Sequence, residues 1–160
     1  MNAISDVRVG QGFDVHRFSD DDRPLILGGV VFAGERGLAG HSDADVPAHA
    51  VADALLAAAD LGDLGSLFPD DDPRWAGADS IGLLREVAHR VSAAGWRVSN
   101  VSAAVICERP RLAPYRAAMA ENLSAAAGGP VTVTGRRAEG LGAIGRVEGI
   151  ACIAAAVIVQ

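Results

Sequence analysis

The chain has 160 residues, half of them apolar and only 4% aromatic. That length suits one compact core and is short for two ordinary domains, and an interior so poor in rings must be built from close-packed Ala, Val, Leu and Ile. Fourteen basic against twenty acidic residues leave a net charge of −6, which argues against a general nucleic-acid or anionic-membrane surface while allowing a local basic pocket.

Residues 1–6 read as a loose N-terminus of a single domain spanning 1–160, without the charged-then-apolar pattern of a leader. Val7 to Val15 follows as a strand, then an acidic loop at Asp20 to Asp22 that reads as solvated surface. Leu25 to Phe32 carries Gly28-Gly29 between apolar, β-branched stretches, the pattern of two strands joined by a turn or bulge. From Asp45 to about Asp60, Val46, His49, Ala50, Asp53, Leu56 and Ala57 recur at the three- and four-residue spacing of one helical face.

Leu61 to Ala78 holds five glycines and prolines and the acidic run Asp70 to Asp72, which predicts an exposed, mobile loop. Asp79 or Ser80 caps a second helix with Ile81, Leu84, Val87, Ala88 and Val91 on its buried face, ending at Gly95. A strand over Val98 to Cys107, a helix from about Arg111 to Ala126, a short strand at Val131 to Thr134 and a buried strand at Ile150 to Val159 complete the chain. Strands alternate with helices, so helices packed on a sheet are expected. The last apolar run is about half the length of a membrane-spanning helix, and Cys107 and Cys152 lack any framework spacing. A cytoplasmic protein with buried free thiols is the expectation.

Asp14 and His16 stand two apart in a strand, so the period of two puts both on one face. His49, early on a rigid helix, adds a third donor. Three N/O ligands with a position left open is how catalytic zinc is usually held, whereas closed structural sites usually draw on cysteines. Asp45 and Asp53, four residues either side of His49, are candidates to orient its imidazole. A D-x-H triplet alone is a weak sign. It is strengthened by the stretch His41 to His49, H-S-D-A-D-V-P-A-H, because polar crowding of that kind is expensive in a core. Arg109, Arg111, Arg116, Arg136 and Arg137 are forked donors that suit phosphate, and solvated surface is their other reading. Gly140, Gly142 and Gly145 spell G-x-G-x-x-G, but no acidic residue can follow about 20 positions on, which excludes a dinucleotide fold. These glycines instead let backbone approach a ligand or a neighbouring subunit.

Gly12, Asp14, His16 and Phe18 in G-x-D-x-H-x-F and His41 to Asp45 in H-S-D-A-D make the chain recognisable. So do G-D-L-G-S-L-F-P-D at Gly62 to Asp70, D-P-R-W-A-G-A-D-S at Asp72 to Ser80 and G-R-V-E-G-I-A-C at Gly145 to Cys152. Together these blocks resemble the 2-C-methyl-D-erythritol 2,4-cyclodiphosphate synthase family over nearly the full length. The resemblance implies a trimeric α+β fold in which helices cover one face of a mixed sheet in a ferredoxin-like arrangement. It also implies a metal-dependent lyase of the non-mevalonate isoprenoid route, which turns a CDP-alcohol 2-phosphate into a cyclic diphosphate and CMP.

By the same resemblance, Asp14, His16 and His49 would hold zinc, and Glu139 would hold Mg²⁺ or Mn²⁺ with the substrate diphosphate. His41 and Ser42 would contact the erythritol phosphate, Asp63 and Gly65 would lie near the substrate, and Asp70 would accept from a substrate hydroxyl in a loop that closes as a lid. Cys107 to Ala113, including Arg111, would surround the cytosine. Active sites would lie between subunits, with Arg146 and Glu148 lining a central cavity that takes an isoprenoid diphosphate. One segment departs from the family pattern. Where a Lys-Ala-Thr-Thr run is usual, Thr134, Gly135, Arg136 and Arg137 stand, so two guanidinium groups replace hydroxyls at the diphosphate grip; Ala143 and Ile144 likewise replace a usual Phe-Thr pair. Three other readings stay open: a divergent relative acting on another CDP-linked substrate, a non-catalytic trimer that binds nucleotide or isoprenoid diphosphate, and a zinc-dependent phosphohydrolase.

Overall fold

In chain order the elements are β1 (Val7–Arg17), β2 (Pro24–Leu27), β3 (Val30–Arg36), α1 (Val46–Ala59), α2 (Leu64–Leu67), α3 (Ser80–Ala93), β4 (Arg97–Ile106), α4 (Arg116–Ala127), β5 (Val131–Arg136), α5 (Gly142–Gly145) and β6 (Gly149–Val159). The computed structural model describes residues 6–160. The loose terminus expected at residues 1–6 lies outside them except for Asp6, whose carbonyl accepts from the Gln160 amide at 3.2 Å.

Four strands form one mixed sheet in the order β1-β6-β4-β5, with only β4 and β5 parallel, while β2 and β3 pair as a separate hairpin. Helices α1 and α4 pack on one face of the sheet, and α3 lies against both. The α+β class, a mixed sheet covered on one face by helices, is therefore borne out. Among the described residues no helix is long and apolar enough to cross a membrane.

The period of two along β1 decides what α1 can do. Gly10, Gly12, Asp14 and His16 share the helix-covered face, and Val7, Val9, Phe13 and Val15 share the open one. The two glycines are required by close approach: a Cβ on Gly10 would sit 2.1 Å from the Ala54 carbonyl oxygen, and one on Gly12 would sit 2.0 Å from that of Ala50. Ala154 and Ala156, register partners of Gly12 and Gly10 on β6, keep the same floor shallow. An alanine-rich helix thus lies nearly against the sheet backbone, with its N-terminal turn over Asp14. The helix is buried almost all round instead of on one face, and Ala57, expected inside, is exposed.

Asp45 starts α1. Its buried carboxylate accepts from the Ala48 amide at 3.1 Å and from the amides of Gly28 and Gly29 at 2.8 and 2.6 Å, which ties the hairpin turn to the helix N-terminus. Gly28 and Gly29 have φ of 58° and 69°, the left-handed conformation that a two-residue hairpin turn demands.

Two expectations need correction. Leu61 to Ala78 is not simply exposed loop: it contains α2 and a 3-10 turn at Pro73–Trp75, and it buries Phe68 edge-on against Trp75 with ring centroids 4.9 Å apart. The Asp63 carboxylate accepts from the Ser66 amide while the Ser66 hydroxyl pairs back, and Asp53 accepts from the Leu64 amide at 2.7 Å, so a four-residue helix is fixed at its start from two sides. Helix α4 begins at Arg116, not near Arg111, because Pro114 disfavours helical geometry at Ala113 before it. At 140–145, Gly145 packs on its own segment, where a Cβ would lie 2.2 Å from the Gly140 carbonyl carbon, while Gly140 and Gly142 face open space with φ of 76° and 65°.

Candidate metal centre

Asp14 Oδ2 lies 3.2 Å from His16 Nε2 and 2.9 Å from His49 Nδ1, and one ligand atom from each residue falls within 4.8 Å of the others. The close seat of α1 on Gly10 and Gly12 brings His49 down onto the Asp14 and His16 pair. Asp14, His16 and His49 are close enough to bind a metal ion.

The electrostatics of the cluster are those of one carboxylate set between two imidazoles. Burial works to raise the Asp14 carboxyl, yet hydrogen bonds and charge from His16 and His49 prevail and hold it at about 2. For His16, burial disfavours the proton, but the Asp14 carboxylate wins and keeps its affinity for a proton above the ordinary histidine value. The far side of that ring is fixed: His16 Nδ1 is 2.6 Å from the Ala39 carbonyl, which can only accept, so Nδ1 carries a proton and Nε2 is the nitrogen that faces Asp14.

Neither Asp45 nor Asp53 orients His49, against expectation. Both carboxylates are taken up by backbone amides. His49 Nε2 instead faces the Ser80 hydroxyl at 2.8 Å and the Ser42 hydroxyl at 3.2 Å, and Ser80 in turn donates to Asp43 Oδ1. Ser80 and Asp43 are the functional candidates the sequence did not single out. Capping already accounts for a serine at the start of α3, so nothing in the linear pattern separates its side chain from an ordinary helix start.

A cavity of about 460 Å³ opens beside the cluster, lined by Asp14, His16 and His49 with His41, Ser42, Gly65 and Asp70 and by the apolar Phe68, Trp75 and Leu83. The structure therefore brings together the metal ligands and four of the other expected site residues. Asp63 stays outside that lining as the cap of α2. Arg111, Arg136 and Arg137 line a second cavity of about 580 Å³ together with Glu108, Arg109 and Arg116. The two cavities share no lining residue. Arg137 is bound through Nε and Nη2 to the largely buried Glu108 carboxylate at 2.9 and 2.7 Å, whereas the Arg136 side chain reaches only the Gly135 carbonyl. Glu139 is exposed, lines neither cavity and has a left-handed φ of 53°. Arg146 pairs with Glu148 at 2.6 Å on an exposed surface.

An α+β scaffold whose Asp-His-His metal centre opens into a part-polar, part-apolar pocket is the class that fold and site define. Residues 7–159 match the model of the YgbB family, and the chain belongs to that family. The 2-C-methyl-D-erythritol 2,4-cyclodiphosphate synthase of Rubrobacter xylanophilus is 58% identical over 149 residues, 90% of each chain. That of Salinibacter ruber is 54% identical over 155 residues, 95% of this chain and 98% of the relative. Among solved structures, the IspF of Plasmodium falciparum in complex with CDP superposes with a TM-score of 0.84 at 28% identity, covering 99% of both chains. The bifunctional IspDF of Campylobacter jejuni superposes with a TM-score of 0.92 at 37% identity; this chain spans 97% of its own length but 42% of that longer protein.

Proposed function

We propose that the chain is a metal-dependent cyclase that converts 4-diphosphocytidyl-2-C-methyl-D-erythritol 2-phosphate into 2-C-methyl-D-erythritol 2,4-cyclodiphosphate and CMP. The observation that carries this reading is the convergence of Asp14 Oδ2, His16 Nε2 and His49 Nδ1 at the mouth of a pocket, in a chain whose full-length relatives bear that synthase's name. One carboxylate and two imidazoles fit zinc, which supplies Lewis acidity and charge to a phosphate when bound.

In the reaction, an oxygen of the substrate's own 2-phosphate forms a bond to the β-phosphorus. The bond from that phosphorus to the bridging oxygen breaks, and CMP leaves with the bridging oxygen. No water is consumed, so the chain's task is to hold two anions in line and to screen their repulsion. His41 and Ser42 would hold the erythritol phosphate, Gly65 and Asp63 would flank the sugar, and Asp70 would accept from a hydroxyl. Arg111, Arg136 and Arg137 would face the cytidine diphosphate, Glu139 would hold Mg²⁺ or Mn²⁺ there, and Arg146 with Glu148 would line a cavity for an isoprenoid diphosphate.

A metal centre and an arginine pocket that share no residue within one chain form a single site if copies place one beside the other. We therefore infer a homotrimer with intersubunit sites. The apolar face of the sheet left open by the helices, with Val9 at 68% and Phe13 at 58% exposure, supports self-association. Two free thiols suit work in the reducing cytoplasm.

The test is incubation of the zinc-loaded protein and Mg²⁺ with the CDP-methylerythritol phosphate, followed by phosphorus NMR in oxygen-18 water. Cyclic diphosphate and CMP free of solvent oxygen are expected. No product from folded, metal-loaded protein overturns the reading, and solvent oxygen in the product identifies a phosphohydrolase instead.

A further inference from the structure

Both imidazoles of the metal centre have a ring nitrogen turned away from it, and the two are held by different chemistry. His16 is held by a backbone carbonyl, which no side-chain change can remove. His49 is held by two side chains from distant parts of the chain: its Nε2 lies 2.8 Å from Ser80 Oγ, and the Ser80 hydroxyl donates to Asp43 Oδ1. A serine hydroxyl has a single proton. Once that proton is given to a carboxylate, Ser80 Oγ can only accept from the imidazole.

We infer that Ser80 and Asp43 are positioning residues that select the metal-binding tautomer of His49. With the Ser80 proton committed to Asp43, a His49 that binds metal through Nδ1 carries its proton on Nε2 and donates it to Ser80 Oγ, while Nδ1 stays on the Asp14 side, 2.9 Å from Asp14 Oδ2. The opposite tautomer would leave a lone pair facing the Ser80 oxygen and a proton where the metal must bind. Three details support the direction of the relay. Asp43 is anchored independently, its Oδ2 accepting the Ser80 amide at 3.1 Å, so the carboxylate is fixed before the hydroxyl chooses a partner. Ser80 is buried to 1% exposure, which shields the pair from water that would otherwise compete. The Ser42 hydroxyl, the other oxygen near Nε2, is farther away at 3.2 Å, and its proton has an acceptor in Ser80 Oγ at 3.3 Å once the Ser80 proton is given to Asp43.

This inference rests on the reading of Asp14, His16 and His49 as metal ligands, and the two are separable by experiment. Metal-free protein is titrated with zinc against a chromophoric chelator, comparing wild type, Ser80→Ala and Ser80→Thr. Loss of the acceptor in Ser80→Ala is expected to weaken zinc binding by about 10–100-fold, and Ser80→Thr, which keeps the hydroxyl, should restore most of it. In zinc-loaded protein with nitrogen-15 histidine, the His49 Nε2 proton should be directly visible and slow to exchange in wild type and Ser80→Thr, and lost to exchange in Ser80→Ala. Removing a small buried hydroxyl leaves the fold in place, which thermal melting of the metal-free variants checks. Equal zinc affinity in folded wild type and Ser80→Ala, or an Nε2 proton unchanged by the substitution, overturns the relay alone. Wild-type protein that takes up no zinc overturns the metal centre and the relay with it.

Discussion

Gly12 lies directly beneath Ala50, so close that a Cβ would come within 2.0 Å of the Ala50 carbonyl oxygen and 2.6 Å of the Ala54 amide nitrogen. His49 is the next residue back along the same helix turn. The glycine therefore sets the height of the third metal ligand above Asp14, two residues farther along β1. Gly12→Ala should force α1 off the sheet, costing about 1–3 kcal/mol in urea unfolding, the usual range for an overpacked core. It should also weaken zinc uptake, because ligand spacing changes with helix height. Stability and zinc affinity both equal to wild type would show that α1 has room the structure denies it.

Much of this arrangement is legible in the linear chain. G-x-G-x-D-x-H places two small residues and two ligands on one strand face by period alone, and the polar crowding from His41 to His49 marks the helix that meets them. What the chain hides is contact between distant segments. Asp45 and Asp53 share a helical face with His49, but the first is drawn to the hairpin amides and the second to the amide of Leu64, because unpaired donors there leave no cheaper acceptor. Ser80 reaches His49 across 31 positions, a distance no local pattern spans. The short helix α2 escapes for a related reason. Four residues carry too little periodicity, and its stability comes from Asp53 and Asp63 at its start.

Zinc and protons compete for the same atoms. Asp14 is held at about 2 and stays ionised through mild acid, whereas the carboxylate beside His16 holds that imidazole's proton above the ordinary histidine range. The bound metal requires the deprotonated ring nitrogen. Zinc affinity should therefore be constant at pH values well above the His16 titration. As the pH falls through it, affinity should weaken by about tenfold per unit for each proton that zinc must displace. Asp14→Asn should remove the carboxylate that raises His16 and shift the onset of proton competition to lower pH, while weakening zinc binding at every pH. A flat pH dependence from pH 5 to 8, measured by chelator competition, would contradict proton competition at this site.

Cys107 and Cys152 are both free and buried. Burial pushes the Cys107 thiol up to about 11, with Glu108 adding to the effect, and pushes Cys152 to about 12. Thiolate is the reactive form, so at pH 8 only about one molecule in a thousand at Cys107, and fewer at Cys152, is poised to react. Native protein should show almost no reaction with an aromatic disulfide reagent over an hour, and two equivalents should appear on unfolding in guanidinium. Prompt titration of either thiol in the native state would mean that its strand opens far more readily than its packing implies.

Phe13 and its register partner Ile153 stand on the open face of the sheet, 58% and 47% exposed, flanked by Val9 and Val15. If that face stays in water, Phe13→Asp is an ordinary surface change worth less than about 0.5 kcal/mol. If copies of the chain close over it, the substitution buries an unpaired carboxylate, which costs several kcal/mol at each contact and breaks the assembly. Light scattering on a size-exclusion column should give three times the 16.3 kDa chain mass for wild type and one times that mass for Phe13→Asp. The dissociated variant should bind zinc as tightly as wild type, because Asp14, His16 and His49 all come from one chain. It should nevertheless lose turnover, because the arginine-lined cavity is not part of the same pocket within that chain. Wild type at single-chain mass would remove the trimer. A dissociated variant with full activity would place the whole reaction within one chain, against the separation of its two cavities.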